Sequence, residues 1–329
     1  MATKRNAGTG HVRACCLLAL AMAARPAAGQ ALDTVGTRAA GMAGAFVAVA
    51  SDSSAVWWNP AALPTGPFAD ISFGRGRARS GAPVPGSGDR LTALALTMPL
   101  LGIHVATYDH VRAVAAGAGG ADLARLTVTQ MGLTLAHTLV SGVHVGGTLK
   151  YLRGSQAADR RFVDQDRAVS EAQGLPDADG QGRWDADLGL IAVHRGWRVG
   201  LLARHLGAPS FGDGPDALRL GRQARVGLAF DVAEVDGPPL VVAADLDLTR
   251  VDGPDGPSRG AAVGVERWLR GGQVGLRTGI RVSTAGGLRP AAAAGASLMV
   301  RSGLFLEISG AGGREAASRV WGATARMSF

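Results

Sequence analysis

The sequence predicts an all-β chain: a transmembrane antiparallel β-barrel of about 14 strands, with an N-terminal segment seated in its lumen as a plug. Three observations carry this. Strand-like segments of roughly ten residues recur down the chain, and a tilted strand needs about 9 to 11 residues to cross a bilayer. Tight turns and longer polar loops join them alternately, as in single-chain outer-membrane barrels. The series starts behind an export-type leader and finishes on Phe329.

Residues 1–31 read as a signal peptide. Lys4, Arg5 and Arg13 form a basic start, and Ala14 to Ala24 form an apolar stretch too short to span a bilayer as a helix. Ala27, Ala28 and Gly29 supply small residues for cleavage near Gly29 or Ala31. Both cysteines, Cys15 and Cys16, fall in this leader, so disulfides, thiol nucleophiles and cysteine metal sites are excluded from the rest. The formal charge of +8 belongs partly to the leader. Without Lys4, Arg5, Arg13 and Arg25 the chain has 30 basic and 26 acidic residues, or +4. Basic residues are scattered with no aromatic interleaving, so nucleic acid is not an expected partner. Beyond the leader there is no run of 18 apolar residues, although 47% of the chain is hydrophobic, so no membrane helix is expected.

Residues 32–67 come next. Ala39, Ala40, Ala43 and Gly44 permit close backbone approach, and Asp52 or Ser53 is placed to cap a short helix that Asn59-Pro60 ends. A segment so rich in Ala and Gly has little core of its own and must pack against something larger. The interior of a barrel over residues 68–329 is the expected site.

Candidate strands lie near 68–78, 90–98, 101–110, 125–139, 142–153, 183–194, 196–206, 219–231, 238–249, 259–269, 272–283, 288–300, 303–311 and 318–328. Pro99-Leu100, Val140-Ser141, Arg195-Gly196, Arg270-Gly271 and Ser302 mark tight turns, and the longest loop, 154–182, is expected to be the most mobile part. Alternation sets Leu240, Val242, Ala244, Leu246 and Leu248 against Asp245 and Asp247. It also sets Val274, Leu276, Thr278, Ile280 and Val282 against Gln273, Arg277 and Arg281. A third strand sets Val143, Val145, Leu149 and Tyr151 against His144, Thr148 and Lys150. A soluble barrel shares such alternation with the faces inverted, but the leader, strand lengths and Phe329 favour the membrane version. Leu126 and Val128 fall out of phase with Leu133 and Leu135, which predicts a bulge near Gln130. Trp184, Trp197, Trp268 and Trp321 lie near strand ends and are expected in the interfacial girdles.

Inward charges fall into hairpin register, predicting pairs Asp187–Arg204, Arg225–Asp245 and Glu266–Arg277. They fit a structural ladder filling the lumen, or a polar translocation path. No His-x-x-x-His or mixed metal cluster appears, and no nucleophile elbow, so neither a metal, a cofactor nor an enzyme activity is expected. Asp164, Asp166, Glu171, Asp177 and Asp179 crowd the longest loop, but Arg160, Arg161, Arg167 and Arg183 dilute them, as in a solvated loop.

Two stretches carry a family likeness: Arg38 to Ala45, reading Arg-Ala-x-Gly-Met-x-Gly-Ala, and Trp58 to Ala61, reading Trp-Asn-Pro-Ala. Together with Gly146 to Tyr151 they resemble the FadL-type outer-membrane transport superfamily and its PorV-like branch. The resemblance implies a plugged barrel of 14 strands, with Arg38, Gly41, Met42, Gly44, Asn59, Pro60 and Ala61 in the plug. It implies passive transport of hydrophobic small molecules across the outer membrane, with Met42, Phe46, Val47, Trp57 and Trp58 as ligand contacts. The alternative it implies is a non-transporting, PorV-like barrel that docks secreted or envelope proteins at the cell surface. Expected partners are outer-membrane lipid and lipopolysaccharide, the barrel-assembly machinery and one of those cargoes.

Overall fold

The computed structural model describes residues 35–79, 88–116, 120–162, 165–175, 180–211, 218–253, 256–285, 289–313 and 319–329. The expected leader, and Asp164, Asp177 and Asp179 of the acidic loop, lie outside the described residues.

The strands are β1 (Asp70–Arg79), β2 (Gly88–Thr97), β3 (Leu101–Ala116), β4 (Gly120–Val140), β5 (Val143–Phe162), β6 (Gln181–His194), β7 (Trp197–Arg204), β8 (Ser210–Phe211) and β9 (Leu218–Arg219). After these come β10 (Gln223–Asp231), β11 (Leu240–Asp247), β12 (Val251–Gly253), β13 (Gly256–Ser258), β14 (Gly260–Leu269), β15 (Val274–Ser283), β16 (Arg289–Arg301), β17 (Leu304–Gly313) and β18 (Val320–Ser328). Fourteen of them close into one barrel of antiparallel neighbours, sealed by β1 against β18, while β8–β9 and β12–β13 are separate ribbons. Closure leaves no unpaired sheet edge, which lipid could not hydrogen-bond. Among the described residues three α-helices accompany the strands: α1 (Thr37–Gly41), α2 (Ala55–Trp58) and α3 (Gln165–Gln173).

The alternation resolves in favour of lipid. Val242, Leu246 and Leu248 are exposed while Asp245 is buried. Leu276 and Ile280 are exposed around buried Arg277, and Leu149 and Tyr151 around buried Thr148 and Lys150. Apolar side chains look outward and charges inward, so the chain is a transmembrane barrel. No helix among the described residues is long and apolar enough to cross a membrane; strands do the spanning.

Several strands run further than membrane thickness predicts. β3, β4, β5 and β6 have 16, 21, 20 and 14 residues, and they absorb most of the loop expected over 111–124 and the first part of the loop over 154–182. On β4 the exposed row Leu139, Leu135, Leu133 and Met131 gives way to Thr129, Thr127 and Arg125. Beyond it, α3 seats Ala168, Ala172 and Leu175 on Val111 and Leu123. Arg125 Nη1 donates to the carbonyls of Gln173 (3.2 Å) and Leu175 (3.4 Å), satisfying the helix end.

No bulge forms at Gln130. The β3–β4 ladder passes evenly through Ala106↔Gln130, and the register shift on β4 falls between Thr138 and Val140 instead. Leu126 and Val128 change face relative to the membrane band because they serve another cluster, with Leu152, Phe211 and Leu220. Trp184, Trp197 and Trp321 are exposed as girdle residues should be. Trp268 is not: it faces inward, 5.8 Å from the Phe305 ring centroid, with the Arg277 guanidinium 5.4 Å from its own.

The main apolar cluster joins the N-terminal segment to small inward residues of the wall. Phe46, Val47, Trp57 and Leu63 pack with Ala93, Ala95, Ala106, Ala136, Ala229, Ala243 and Ala262. Alanine on the inner face keeps side-chain volume low where a second chain segment must fit.

Candidate functional site

Residues 35–66 meet the inner face of the wall at many points around the barrel. Thr37 Oγ1 donates to Glu307 on β17 at 3.0 Å. Arg38 donates through Nε (2.8 Å) and Nη2 (2.5 Å) to Glu266 on β14. The Phe46 and Val47 amides both donate to Asp245 Oδ2 on β11 at 2.9 Å. Ser53 N donates to Asp70 on β1 at 3.0 Å, and Asn59 Nδ2 donates to the Leu190 carbonyl on β6 at 3.2 Å.

Local sequence sets these positions. Asn59 is extended, with φ −163° and ψ 101°, as a residue before proline must be. Its Oδ1 accepts from Ala61 N at 3.1 Å, and its Nδ2 also donates to Val47 O at 3.0 Å. The cap of α2 is Ser54 rather than Asp52 or Ser53. Asp52 accepts from the Ser54 amide (2.9 Å) and hydroxyl, which frames the turn from two residues earlier.

Glycines on the inner face permit the contact, and sequence reading missed them. A Cβ on Gly279 would lie 2.5 Å from the Met42 carbonyl, and one on Gly146 would lie 2.5 Å from that of Pro60. The signal was available as Gly at inward parity within strands. Gly41 belongs to the same arrangement, lying against Gly295, and Gly44 lies beneath the Trp58 ring.

The three predicted charge pairs have different outcomes. Glu266 and Arg277 face each other, with Arg277 Nε 2.6 Å from Glu266 Oε1. From there the polar chain continues through Ser297 to Glu307, then Arg326 and Asp70. Arg225 does not pair with Asp245. It faces Asp247 and donates to it at 2.5 Å, because the connection contains a 3₁₀ turn over Val232–Val235 with Asp236 left-handed, which shifts the register by two residues. Asp245 instead serves the Phe46 and Val47 amides. Arg225→Ala should lower the heat resistance of the folded barrel on semi-native gels, on the order of 1–3 kcal/mol for a charged hydrogen bond. Unaltered melting would remove Arg225 from the lumen framework.

Asp187 is engaged by a residue outside the predicted pair with Arg204. It accepts from Lys150 Nζ at 2.6 Å and from the His205 amide at 2.9 Å. Asp185 lies 2.9 Å from the same ammonium and 2.8 Å from His205 Nδ1. Asp185, Asp187 and His205 could by position hold a metal ion, but the Lys150 ammonium stands among them and supplies the positive charge.

In the N-terminal segment, burial alone would pull the Arg38 guanidinium down and push the Asp52 carboxyl up. Glu266, with Asp52 and Glu307, outweighs burial and holds Arg38 above its ordinary range. Arg38 and Arg326 in turn hold Asp52 below the ordinary carboxylate value. Both stay charged, as a latch between segment and wall.

Beside this latch is a cavity of about 50 Å³ between the segment and β1, β2, β17 and β18. Of the five residues expected to contact a ligand, Trp57 alone lines it. Its indole N–H is buried without a partner among the described residues. Met42, Phe46, Val47 and Trp58 are buried in packing, Phe46 edge-on to Trp58 at 5.8 Å.

No family profile and no curated protein matches the chain. Solved structures do. The CymD monoaromatic hydrocarbon channel matches with a TM-score of 0.65 at 14% identity, covering 91% of this chain and 98% of that one. The toluene transporter TbuX of Ralstonia pickettii matches with a TM-score of 0.61 at 12% identity, over 91% and 99%. A Pseudomonas aeruginosa FadL homologue matches with a TM-score of 0.57 at 12% identity, over 90% and 98%. The chain is thus similar in fold, along nearly its whole described length, to a FadL homologue and to two hydrocarbon-passing barrels.

Proposed function

We propose that this chain is an outer-membrane barrel for passive passage of hydrophobic small molecules, with residues 35–66 as its lumenal plug. The observation that carries the reading is the cavity beside Trp57, between segment and wall, in a fold shared with hydrocarbon channels. Its size adds a condition. An apolar cavity that admits benzene measures about 150 Å³, three times the space beside Trp57, so a guest must displace the plug in order to enter. The PorV-like docking alternative draws no support from these likenesses.

The test is titration of purified, folded barrel with a fluorescent fatty acid, followed by competition with toluene. Saturable binding that toluene displaces, weakened by Trp57→Ala, is the expected result. Absence of saturable binding, with the barrel folded by gel mobility, overturns the reading.

A further inference from the structure

The outward face near the end of β1 that leads into the loop carries charge where the neighbouring faces carry lipid-compatible side chains. Across four adjacent strands the ladder aligns Phe73, Leu94, Val105 and Met131 in one outward row, all apolar and exposed. One step further out the aligned row is Arg75, Thr92, Thr107 and Thr129. The next is Arg77, Arg90, Asp109 and Thr127. The change from apolar to polar within a single step marks the edge of the hydrocarbon layer, and Trp321, opposite Arg77 and exposed, sits at that level as interfacial tryptophans do.

Arg75, Arg77 and Arg90 are all exposed, and Arg77 faces Arg90 directly across the β1–β2 ladder. Like charges placed opposite each other destabilise a strand pair unless an anion lies between them. Among the described residues none of the three has a carboxylate partner. Among the described residues, the acids beside them on β2 and β3 are engaged elsewhere: Asp89 with His110 at 2.5 Å, and Asp109 with Arg125 (3.3 Å) and Thr127 (2.8 Å). Arg319, exposed just ahead of β18, adds a fourth cation to the same side. Planar guanidinium groups match phosphate oxygens, and long arginine stems let the charge reach headgroup level from a lipid-facing position.

We infer that Arg75, Arg77 and Arg90 form an external site for a phosphorylated lipid headgroup in the leaflet at the loop end of the barrel. The site is independent of the lumen and of what passes through it, and requires only that the barrel stand in a membrane with such lipid.

Native mass spectrometry of the folded full chain tests this, with bis-phosphorylated lipid A and its dephosphorylated form as probes. The wild-type barrel should retain the phosphorylated lipid on the order of 10-fold or more over the dephosphorylated one, given about 1 kcal/mol per basic residue near an anionic surface. The triple variant Arg75→Gln, Arg77→Gln, Arg90→Gln should lose that preference. Arg267→Gln, exposed near the opposite end, should keep it, and Arg→Lys at the three positions should restore part of it. Gel mobility separates misfolded material. Equal retention of the two lipids overturns the site, as does a preference surviving in the triple variant, or suppression of retention by inorganic phosphate at millimolar level. Capture of an acidic protein at this face without any lipid preference overturns it too.

Discussion

Glu266→Ala should lower the thermal stability of the folded barrel more than any other lumen substitution. Glu266 is 1% exposed and holds two arginines: Arg38 from the N-terminal segment through Nε and Nη2, and Arg277 from the adjacent strand. Removing the carboxylate leaves two guanidinium groups in the interior with a charge deficit, and deleting one member of a buried pair costs about 3–5 kcal/mol. Arg38 retains Asp52 at 3.3 Å, and Arg277 retains Ser297 at 2.7 Å, so the loss is partial for each. The expected observation is an earlier conversion from folded to unfolded migration on heated semi-native gels, with protease cutting near Arg38 at temperatures where the wild type resists. A melting point equal to wild type would mean that the latch does not hold the segment. Glu266→Gln, which keeps the shape and one acceptor, should fall between the two.

Gly279→Val should displace the N-terminal segment without touching a charge. The new Cβ would lie 2.5 Å from the Met42 carbonyl carbon and oxygen, and both are backbone atoms that cannot rotate aside. Either residues 41–44 withdraw from β14 and β15 or the wall bends, and overpacking of this kind costs typically 1–3 kcal/mol or more. Barrel closure depends on the ladder rather than on this contact, so folded mobility on gels should survive while ion leakage through reconstituted barrels rises. Gly272→Val, at a turn position with open space around it but φ +89°, is the comparison: strain without any effect on the segment. Leakage equal in the two variants would sink the close-approach explanation.

The contrast between these residues and the outward face shows what sequence can reveal. Val242, Leu246, Leu276 and Ile280 announce their face because a membrane strand repeats every second residue, and that period survives without any knowledge of partners. Partner identity is different. Arg225 faces Asp247 rather than Asp245 because the connection, after its 3₁₀ turn, runs on through Pro238 and Pro239, which the sequence pattern assigns to strand. Lys150 was visible as an inward polar residue, but its convergence with Asp185, Asp187 and His205 joins two strands, β5 and β6, and the residue after β7. Inner-face glycines carry no side chain for a periodic pattern to register, so their role emerges only when the second backbone is seen against them. The bulge expected at Gln130 failed for a related reason: period analysis reads a change of face as a defect in one layer, whereas Leu126 and Val128 enter a second layer.

The length of β4 and β5 has its own consequence. At about 3.4 Å per residue, a 21-residue strand tilted by about 40° climbs roughly 55 Å, about twice the 25 Å that lipid covers. Braced by α3, the ends of β4 and β5 farthest from their shared tight turn at Ser141 and Gly142 stand with the end of β3 as a stiff fin well clear of the apolar band. With its longer loops outward, as the proposed outer-membrane function implies, an antibody or phage would meet the fin before the lumen. Change at its tip can then follow pressures from outside while the lumen keeps its own constraints.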